Sequence, residues 1–408
     1  MLFEYPNELK VIFDKLDKLN AKAIIVGGYV RDKFLKINSK DIDIEVYGVG
    51  SFEILANILS EFGKINTVGK SFGVCKLQLN KFELDFSLPR CDSKIAQGHT
   101  GFEIIIDPYL DFKIAASRRD FTINAIGYDT KEKKILDPYS GIKDLKNKIL
   151  KVVDSTKFEE DPLRILRAVG FATRFSLVIS PQLNNLLIKM IQNNLLEQLP
   201  KERIFLEVEK ILLQSKKISQ AFSILNKLHA KSIFLELYQL DNDHYTQTMH
   251  SLDKTREKKI ELLLAILSYK IQEREIFLSR FCHNNKLIKN ILNITQNQKS
   301  IDLKNLNNYA IYQLSTKVNI SQFIPFLQAI YPSSYKKNIV FLETKAKQLN
   351  IFSKPLEPII KGRDLIDLGI QPSKEYSSIL KKIFEAQMRE KFFDKEGALV
   401  YLKSIILP

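Results

Sequence analysis

The sequence predicts an α+β protein: a mixed-sheet head with helices, followed by an all-helical neck, body and tail. Three observations predict it. Apolar residues alternate with a period of two only before about residue 155. Beyond that point they recur at three- and four-residue intervals to the C-terminus. The chain has 408 residues, 45% of them hydrophobic, enough for more than one core.

Taken in order, NELKVIFDKLDKLN (7–20) carries a helical apolar stripe, AIIV (23–26) is a short buried strand, and YVRDKFLK (29–36) is helical again. DIDIEVY (41–47), GVCKLQL (73–79) and KFELDFSL (81–88) alternate as strands, with FEILANILSEF (52–62) a helix after the first. SRRDFTINAIGYD (117–129) reads as a charged turn entering a half-apolar helix that carries Asn124. The helices then run through FEEDPLRILRAVGFATRF (158–175), SPQLNNLLIKMIQNN (180–194), KERIFLEVEKILLQ (201–214), ISQAFSILNKL (218–228) and KKIELLLAILSYKI (258–271). Breaks fall near Gly141, Pro181, Pro200, Pro332 and Pro355–Pro358. The expected segments are a head over 1–140, a neck over 141–200, a body over 201–270 and a tail over 271–408. No internal repeat or low-complexity linker separates them.

Lys and Arg outnumber Asp and Glu by 62 to 47, a formal charge of +15 with pI near 9.4. That surplus suits a polyanionic partner such as nucleic acid, and equally a soluble, Lys-rich composition. Cys75, Cys91 and Cys282 show neither metal-ligand spacing nor a disulfide framework, which fits a reducing, cytoplasmic setting. The start, MLFEYPNELKVIFDKL, mixes acids into an amphipathic pattern instead of a basic flank and apolar core, so no secretory signal is expected. No apolar run reaches the length of a membrane span.

Against this positive background, KDIDIEVY places Asp41, Asp43 and Glu45 on one face of a strand. Like charges aligned in this way repel. Either a solvated face or a divalent-cation site accounts for them. Just upstream, IIVGGYVRD (24–32) runs from a buried strand through Gly27 and Gly28 into a helix. The glycines permit close backbone approach, the helix N-terminus offers free amides to phosphate, and Arg31 adds a fixed charge. An ordinary tight turn has the same glycines. Followed at once by Asp-x-Asp, the pattern fits a triphosphate cradle facing a metal site. Glu83 and Asp85 share a face of the later strand. Asp85 beside Asp41 and Asp43 would supply a carboxylate from a second element, as two Mg²⁺ ions require. Next to such a cradle, Arg119 is a candidate nucleotide ligand and Asp120 a candidate acceptor for a ribose hydroxyl; helix capping is the alternative.

In EEDPLRILRA, Asp161, Arg164 and Arg167 lie three apart and are expected on one helical stripe. An Asp beside an Arg can read a base. Cytosine and adenine both set an amino donor next to an unprotonated ring nitrogen, whereas uracil and guanine invert that pattern. A surface ion pair is the bland alternative.

GGYVRD, DIDIE, RRDFTINA and EDPLRILRA, in that order over about residues 24–175, closely resemble the bacterial class II tRNA nucleotidyltransferases and their poly(A) polymerase relatives, of the polymerase-β nucleotidyltransferase superfamily. The resemblance implies a polymerase-β-type head and Mg²⁺-dependent addition of CMP and AMP, from CTP and ATP, to the tRNA 3′ end. It implies Gly27, Gly28 and Arg31 at the triphosphate, and Asp41 and Asp43 as metal ligands with Asp85 as the third acid. It further implies Arg119, Asp120 and Asn124 around the nucleotide, and Asp161, Arg164 and Arg167 as a protein template. CC-adding, A-adding and poly(A)-polymerizing activities are the alternatives within the family, and a silent RNA-binding scaffold is the alternative outside it. Two departures stand out. Gly170 occupies a position where the family often has a further Arg, and VGKSFGVCK (68–76) lacks the arginine-rich run of poly(A) polymerases. DHYTQTMHSLD, with His244 and His250, resembles the start of an HD phosphohydrolase domain, but Ser268–Tyr269 stand where His-Asp ligands are needed, so a remnant without hydrolase activity is expected. His99, His229 and His283 are expected to be structural. The C-terminal IIKGRDLIDLGIQPSKEYSS resembles the family's tail segment, with Pro372–Ser373 at its turn. Its basic residues are candidates for tRNA phosphate contacts.

Overall fold

The computed structural model describes residues 3–66, 73–80, 82–94, 102–368 and 376–406. His99, Pro372–Ser373 and most of VGKSFGVCK therefore lie outside the described residues. The chain divides into two compact units, Met1–Ile233 and Phe234–Pro408. The expected head and neck share the first, and the expected body is divided between the two.

The first unit begins with α1 (Glu8–Lys18), β1 (Lys22–Val26) and α2 (Gly28–Phe34), continues through β2 (Asp41–Tyr47), α3 (Phe52–Ser60) and β3 (Ile65–Asn66), then runs through β4 (Val74–Leu79) and β5 (Phe82–Ser87). A ribbon of β6 (Arg90–Lys94) and β7 (Phe102–Ile106) leads to α4 (Phe112–Ala116). The main sheet is ordered β3-β4-β5-β2-β1, then β8 (Gly127–Asp129) and β9 (Lys134–Leu136). Within it β2 and β5 run parallel, while β1 is antiparallel to both β2 and β8. Central β1 and β2 bury Ile24, Ile25, Val26, Ile42, Ile44 and Val46 to 1% exposure or less; β1 has the near-continuous apolar reading of a strand covered on both faces, whereas β2 alternates these residues with its acids.

Two sequence expectations change here. The stretch after Arg-Arg-Asp is not a helix but a 3₁₀ turn, Thr122–Asn124, running into β8. The reason is tertiary: Gly127 and Tyr128 pair with Val26 and Ile25, and an ordered sheet edge outcompetes a short helix. The turn is pinned from below. Asp120 O and Thr122 N–H bond Val153 and Lys151, and a Cβ on Gly141 would lie 2.1 Å from Thr122 O, so only glycine lets α5 (Gly141–Lys146) pack there.

Next come β10 (Ile149–Leu150), α6 (Ser155–Glu159), α7 (Arg164–Phe175) and β11 (Val178–Ile179), which pairs in parallel with β10. This small pairing is a strand signal beyond residue 155 that the helical period hides. The unit closes with α8 (Pro181–Gln192), α9 (Lys201–Gln214) and α10 (Ile218–Lys227). The second change concerns Asp161, which precedes α7 instead of lying on it. Pro162 disfavours helical backbone at the residue before it, and α7 starts at Arg164.

The described part of the second unit is helical: α11 (Leu235–Tyr238), α12 (Asn242–Lys254), α13 (Ile260–Ser268), α14 (Arg274–Phe281), α15 (Asn285–Ser300), α16 (Asn308–Ser315), α17 (Ile320–Ile330), α18 (Lys336–Gln348), α19 (Gly362–Asp367), α20 (Tyr376–Met388) and α21 (Lys395–Ile406). Leu262 through Ser268 of α13 are buried on every face, as in a helix at the centre of a core. Ser268 is wholly buried and donates to Leu264 O at 2.8 Å, while His244 pairs with Asp241 of its own helix cap and His250 is exposed. Among the described residues, no group of three His, Cys, Asp or Glu side chains is arranged to hold a metal ion. No described helix is long and apolar enough to cross a membrane.

Candidate active site

A cleft of about 460 Å³ opens in the first unit where α2, β2 and the 117–124 segment meet α7 and α9. Six arginines (Arg31, Arg118, Arg119, Arg164, Arg167, Arg203) line it against three aspartates (Asp43, Asp120, Asp161), with Gly28, Asn124, Leu163 and Phe171. That surplus of positive charge suits an anionic ligand of nucleotide size.

One wall is the β1–α2 turn. Gly27 takes φ +70° and ψ −129°, a conformation open to glycine and strained for other residues. A Cβ there would come within 2.6 Å of Arg119 Nη1 and 3.5 Å of Asp43 Oδ2. The glycine is thus what lets an arginine and the strand carboxylate approach the turn. Gly28 has no such demand, since its Cβ would meet only Arg31 Nη2, at 3.6 Å.

The strand acids behave unequally. Asp41 and Asp43 are exposed, but Glu45 is fully buried. Desolvation in the cleft pushes the Asp43 carboxyl up, opposed by Arg119 and reinforced by Asp85, Glu45 and Asp41. Asp85 lies opposite Asp43 in the β2–β5 register, and Asp41 opposite Glu83. Yet both oxygens of Asp85 accept from Lys76 Nζ, at 3.0 and 2.7 Å, across the β4–β5 pair. The three carboxylates therefore do not converge as the sequence suggests, and neither Asp41 nor Asp85 lines the cleft.

Arg31, Asn124, Asp120 and Arg167 form one chain of bonds. Arg31 is 4% exposed, donates twice to Asp32 Oδ1 (2.9 and 2.7 Å) and once to Asn124 Oδ1 (2.6 Å), and packs on Phe171 and Phe175. Asn124 Nδ2 donates to Asp120 Oδ1 at 2.8 Å, and Asp120 Oδ2 accepts Arg167 Nε and Nη2 at 2.8 and 2.6 Å. Burial raises the Asp120 carboxyl, but Arg167 and the bonds from Asn124 and Arg167 outweigh it, leaving it below the usual range. Asp120 in turn holds the Arg167 guanidinium above its ordinary value. These four were expected to touch the nucleotide. In this structure their polar atoms are largely spent on one another and on Asp32, joining α2, the 3₁₀ turn and α7, and the Asp120 oxygens that would accept a ribose hydroxyl are taken.

On the facing wall Asp161 Oδ1 accepts from Leu163 N–H at 3.2 Å, and both its oxygens accept from Arg203 Nη2 at 3.2 and 3.3 Å. Arg164 donates to Lys157 O (2.7 Å) and Arg118 O (2.8 Å), strapping the Arg-Arg-Asp segment to the neck. Only two of its five N–H donors are used in these bonds. Arg203 was not foreseen from the sequence. It sits in the unremarkable helix KERIFLEVEK, and only the packing of α9 brings it to Asp161. A Cβ on Gly170 would contact Ile211 of α9 at 3.5 Å, and that position is not among those lining the cleft, whereas Arg203 of the same helix brings a guanidinium to it.

Asp41 and Asp43, hard oxygen donors on one strand, fit Mg²⁺, which is usually held by one or two carboxylates together with substrate phosphates.

Residues 23–151 match the family model described as the poly A polymerase head domain. The chain is similar to a CCA-adding enzyme of Buchnera aphidicola subsp. Baizongia pistaciae, 34% identical over 336 residues that cover 78% of this chain and 77% of that protein. It is also similar to a CCA-adding enzyme of Coxiella burnetii, 34% identical over 235 residues. That match spans 57% of this chain and only 60% of the Coxiella protein's length. In fold it is similar to the crystal structure of the Bacillus stearothermophilus CCA-adding enzyme in complex with CTP, with a TM-score of 0.77 at 20% identity over 98% of both chains.

Proposed function

Because the chain belongs to the bacterial CCA-adding enzyme family, we propose that it adds CMP and AMP to the 3′ end of tRNA, using CTP and ATP. One observation carries this reading. A single cleft holds an Asp-x-Asp carboxylate and Arg119 against a glycine turn on one wall, and an Asp–Arg pair able to read C and A on the other. In the reaction the tRNA 3′-hydroxyl oxygen bonds to the α-phosphorus, the bond to the bridging oxygen breaks, pyrophosphate leaves and the hydroxyl proton passes to solvent.

The chain's residues divide that work. Gly27 and Gly28 admit the phosphate chain to the turn, and Arg119, with Arg118, offsets its charge. Asp41 and Asp43 would hold Mg²⁺, which supplies Lewis-acid stabilisation of the reacting and departing oxygens. Asp85 adds a third carboxylate on releasing Lys76. Asp161 accepts from the exocyclic amino group and Arg164 donates to the ring nitrogen, so keto oxygens of UTP and GTP meet an acceptor and are refused. Arg31, Asn124, Asp120 and Arg167 hold these walls in place. Basic residues of the second unit contact tRNA phosphates, in keeping with the chain's charge of +15, and the reaction is cytoplasmic.

The test offers the full-length protein tRNAs ending before the first C, after one C and after two Cs, with labelled CTP or ATP. CMP should enter the first two and AMP only the third. Incorporation of CMP alone or AMP alone would assign a CC-adding or A-adding enzyme, and repeated AMP addition to every RNA a poly(A) polymerase. No incorporation would leave an RNA-binding scaffold.

A further inference from the structure

Glu45 follows the two aspartates in alternation, yet the structure separates it from them. Its side chain is wholly buried, and three donors converge on it. Arg118 Nη2 and Arg119 Nη2 share one oxygen, Oε1, at 3.0 and 2.9 Å, and the Tyr47 hydroxyl donates to Oε2 at 3.0 Å. The two guanidiniums are tethered side by side, where alone they would repel. Their Nε–H groups are buried and have no hydrogen-bond partner among the described residues, and Arg119 Nη1 projects past Gly27 toward Asp43. The backbone carrying them is fixed separately by Arg164 on Arg118 O.

We infer that Glu45 is a positioning residue for the phosphate chain of the nucleotide: its buried carboxylate aims Arg118 and Arg119 into the cleft, and it is not a metal ligand. A cation at Glu45 would have to displace two guanidiniums and a hydroxyl from a site without solvent access. One negative charge shared by two positive ones leaves a net positive floor, so orientation is gained without cancelling the attraction for phosphate. The inference rests on the nucleotidyltransferase reading above.

Coulomb attraction alone and positioning predict opposite signs, which makes Glu45→Gln informative. Removing a negative charge near the phosphates would tighten CTP if charge were all that mattered. Loss of aim weakens it. With the full-length protein and divalent metal chelated, equilibrium binding of CTP to Glu45→Gln should weaken about tenfold while cytidine binding changes less than twofold. With Mg²⁺ restored, KM for CTP should rise, kcat should stay within about threefold and tRNA affinity should hold. Tyr47→Phe, a milder change should Glu45→Gln fold poorly, should weaken CTP two- to threefold with the same sparing of cytidine. Adding Glu45→Gln to the double variant Arg118→Ala, Arg119→Ala should cost little more than that double variant alone. Unchanged or tighter CTP binding, equal losses for CTP and cytidine, or a shift confined to the Mg²⁺ requirement would overturn the inference. Wild-type protein that binds no nucleoside triphosphate would overturn the functional reading and this inference with it.

Discussion

Gly27 and Gly28 look interchangeable in the sequence, and the structure predicts opposite outcomes for replacing them with alanine. At Gly27 the backbone sits at φ +70°, ψ −129°, which costs a non-glycine residue about 1–3 kcal/mol. The new Cβ would also lie 2.6 Å from Arg119 Nη1. The guanidinium must swing away, straining or breaking its bond to Glu45, and a hydrogen bond to a charged group is worth about 1.5–3 kcal/mol. If that strain is incurred and part of that bond is lost, Gly27→Ala destabilises the first unit by about 3 kcal/mol. With a urea slope of about 2 kcal/mol/M, the midpoint falls by about 1.5 M. Gly28→Ala meets only ordinary contact at the first position of α2, and alanine's better helix propensity makes it neutral or stabilising by up to about 1 kcal/mol. The chain has no tryptophan, so circular dichroism at 222 nm is the probe, with incorporation measured in parallel. Gly27→Ala should also lose most activity, because Arg119 no longer faces the phosphates. Equal midpoints for Gly27→Ala and wild type, or a larger loss in Gly28→Ala, would refute the reasoning.

Other perturbations test separate parts of the cleft. Chelating divalent metal should stop incorporation and Mg²⁺ should restore it, whereas Asp43→Ala should be inactive at any Mg²⁺ concentration with its circular dichroism and tRNA affinity unchanged. Asp161→Ala should raise the use of UTP relative to CTP by about one to two orders of magnitude in single-turnover addition, since a charged hydrogen bond carries about 1.5–3 kcal/mol of discrimination. Arg203→Ala should shift selectivity the same way but less, because it frees Asp161 without removing it; parallel loss of all four nucleotides would make both residues structural. For Asp120→Asn, the Asp120 carboxyl is held below its ordinary 3.8 by Arg167 despite burial. Its contribution to stability is therefore complete above about pH 5 and is lost as pH falls through the lower folded value. Denaturation of wild type and variant from pH 7 to pH 2 should show a gap of about 3–5 kcal/mol that is flat to pH 5 and narrows below pH 4. A gap that widens on acidification would contradict this.

Much of the protein is local and was legible in the sequence. Period-two alternation placed β2, β4 and β5, and the proline and glycine breaks marked the starts of α5, α8 and α9, because pattern and backbone restriction act within a few residues. The candidate chemistry also lies in short runs, and the fold brings Gly28, Asp43, Arg119, Asp161 and Arg164 to one cleft as those runs suggest. What sequence could not determine is which polar groups remain available there. Lys76 reaches Asp85 only through the β4–β5 register, and Arg203 reaches Asp161 only through the packing of α9. Beyond its adjacent Asp32, Arg31 is bound by Asn124, 93 residues on, and Asp120 by Arg167, 47 residues on, and Glu45 sinks under two arginines while Asp43, two residues before it, stays accessible. Residue type and spacing specify what a side chain is able to do; whether it faces ligand or is already satisfied depends on which distant groups pack against it, since a buried donor or acceptor takes the nearest partner the tertiary fold supplies.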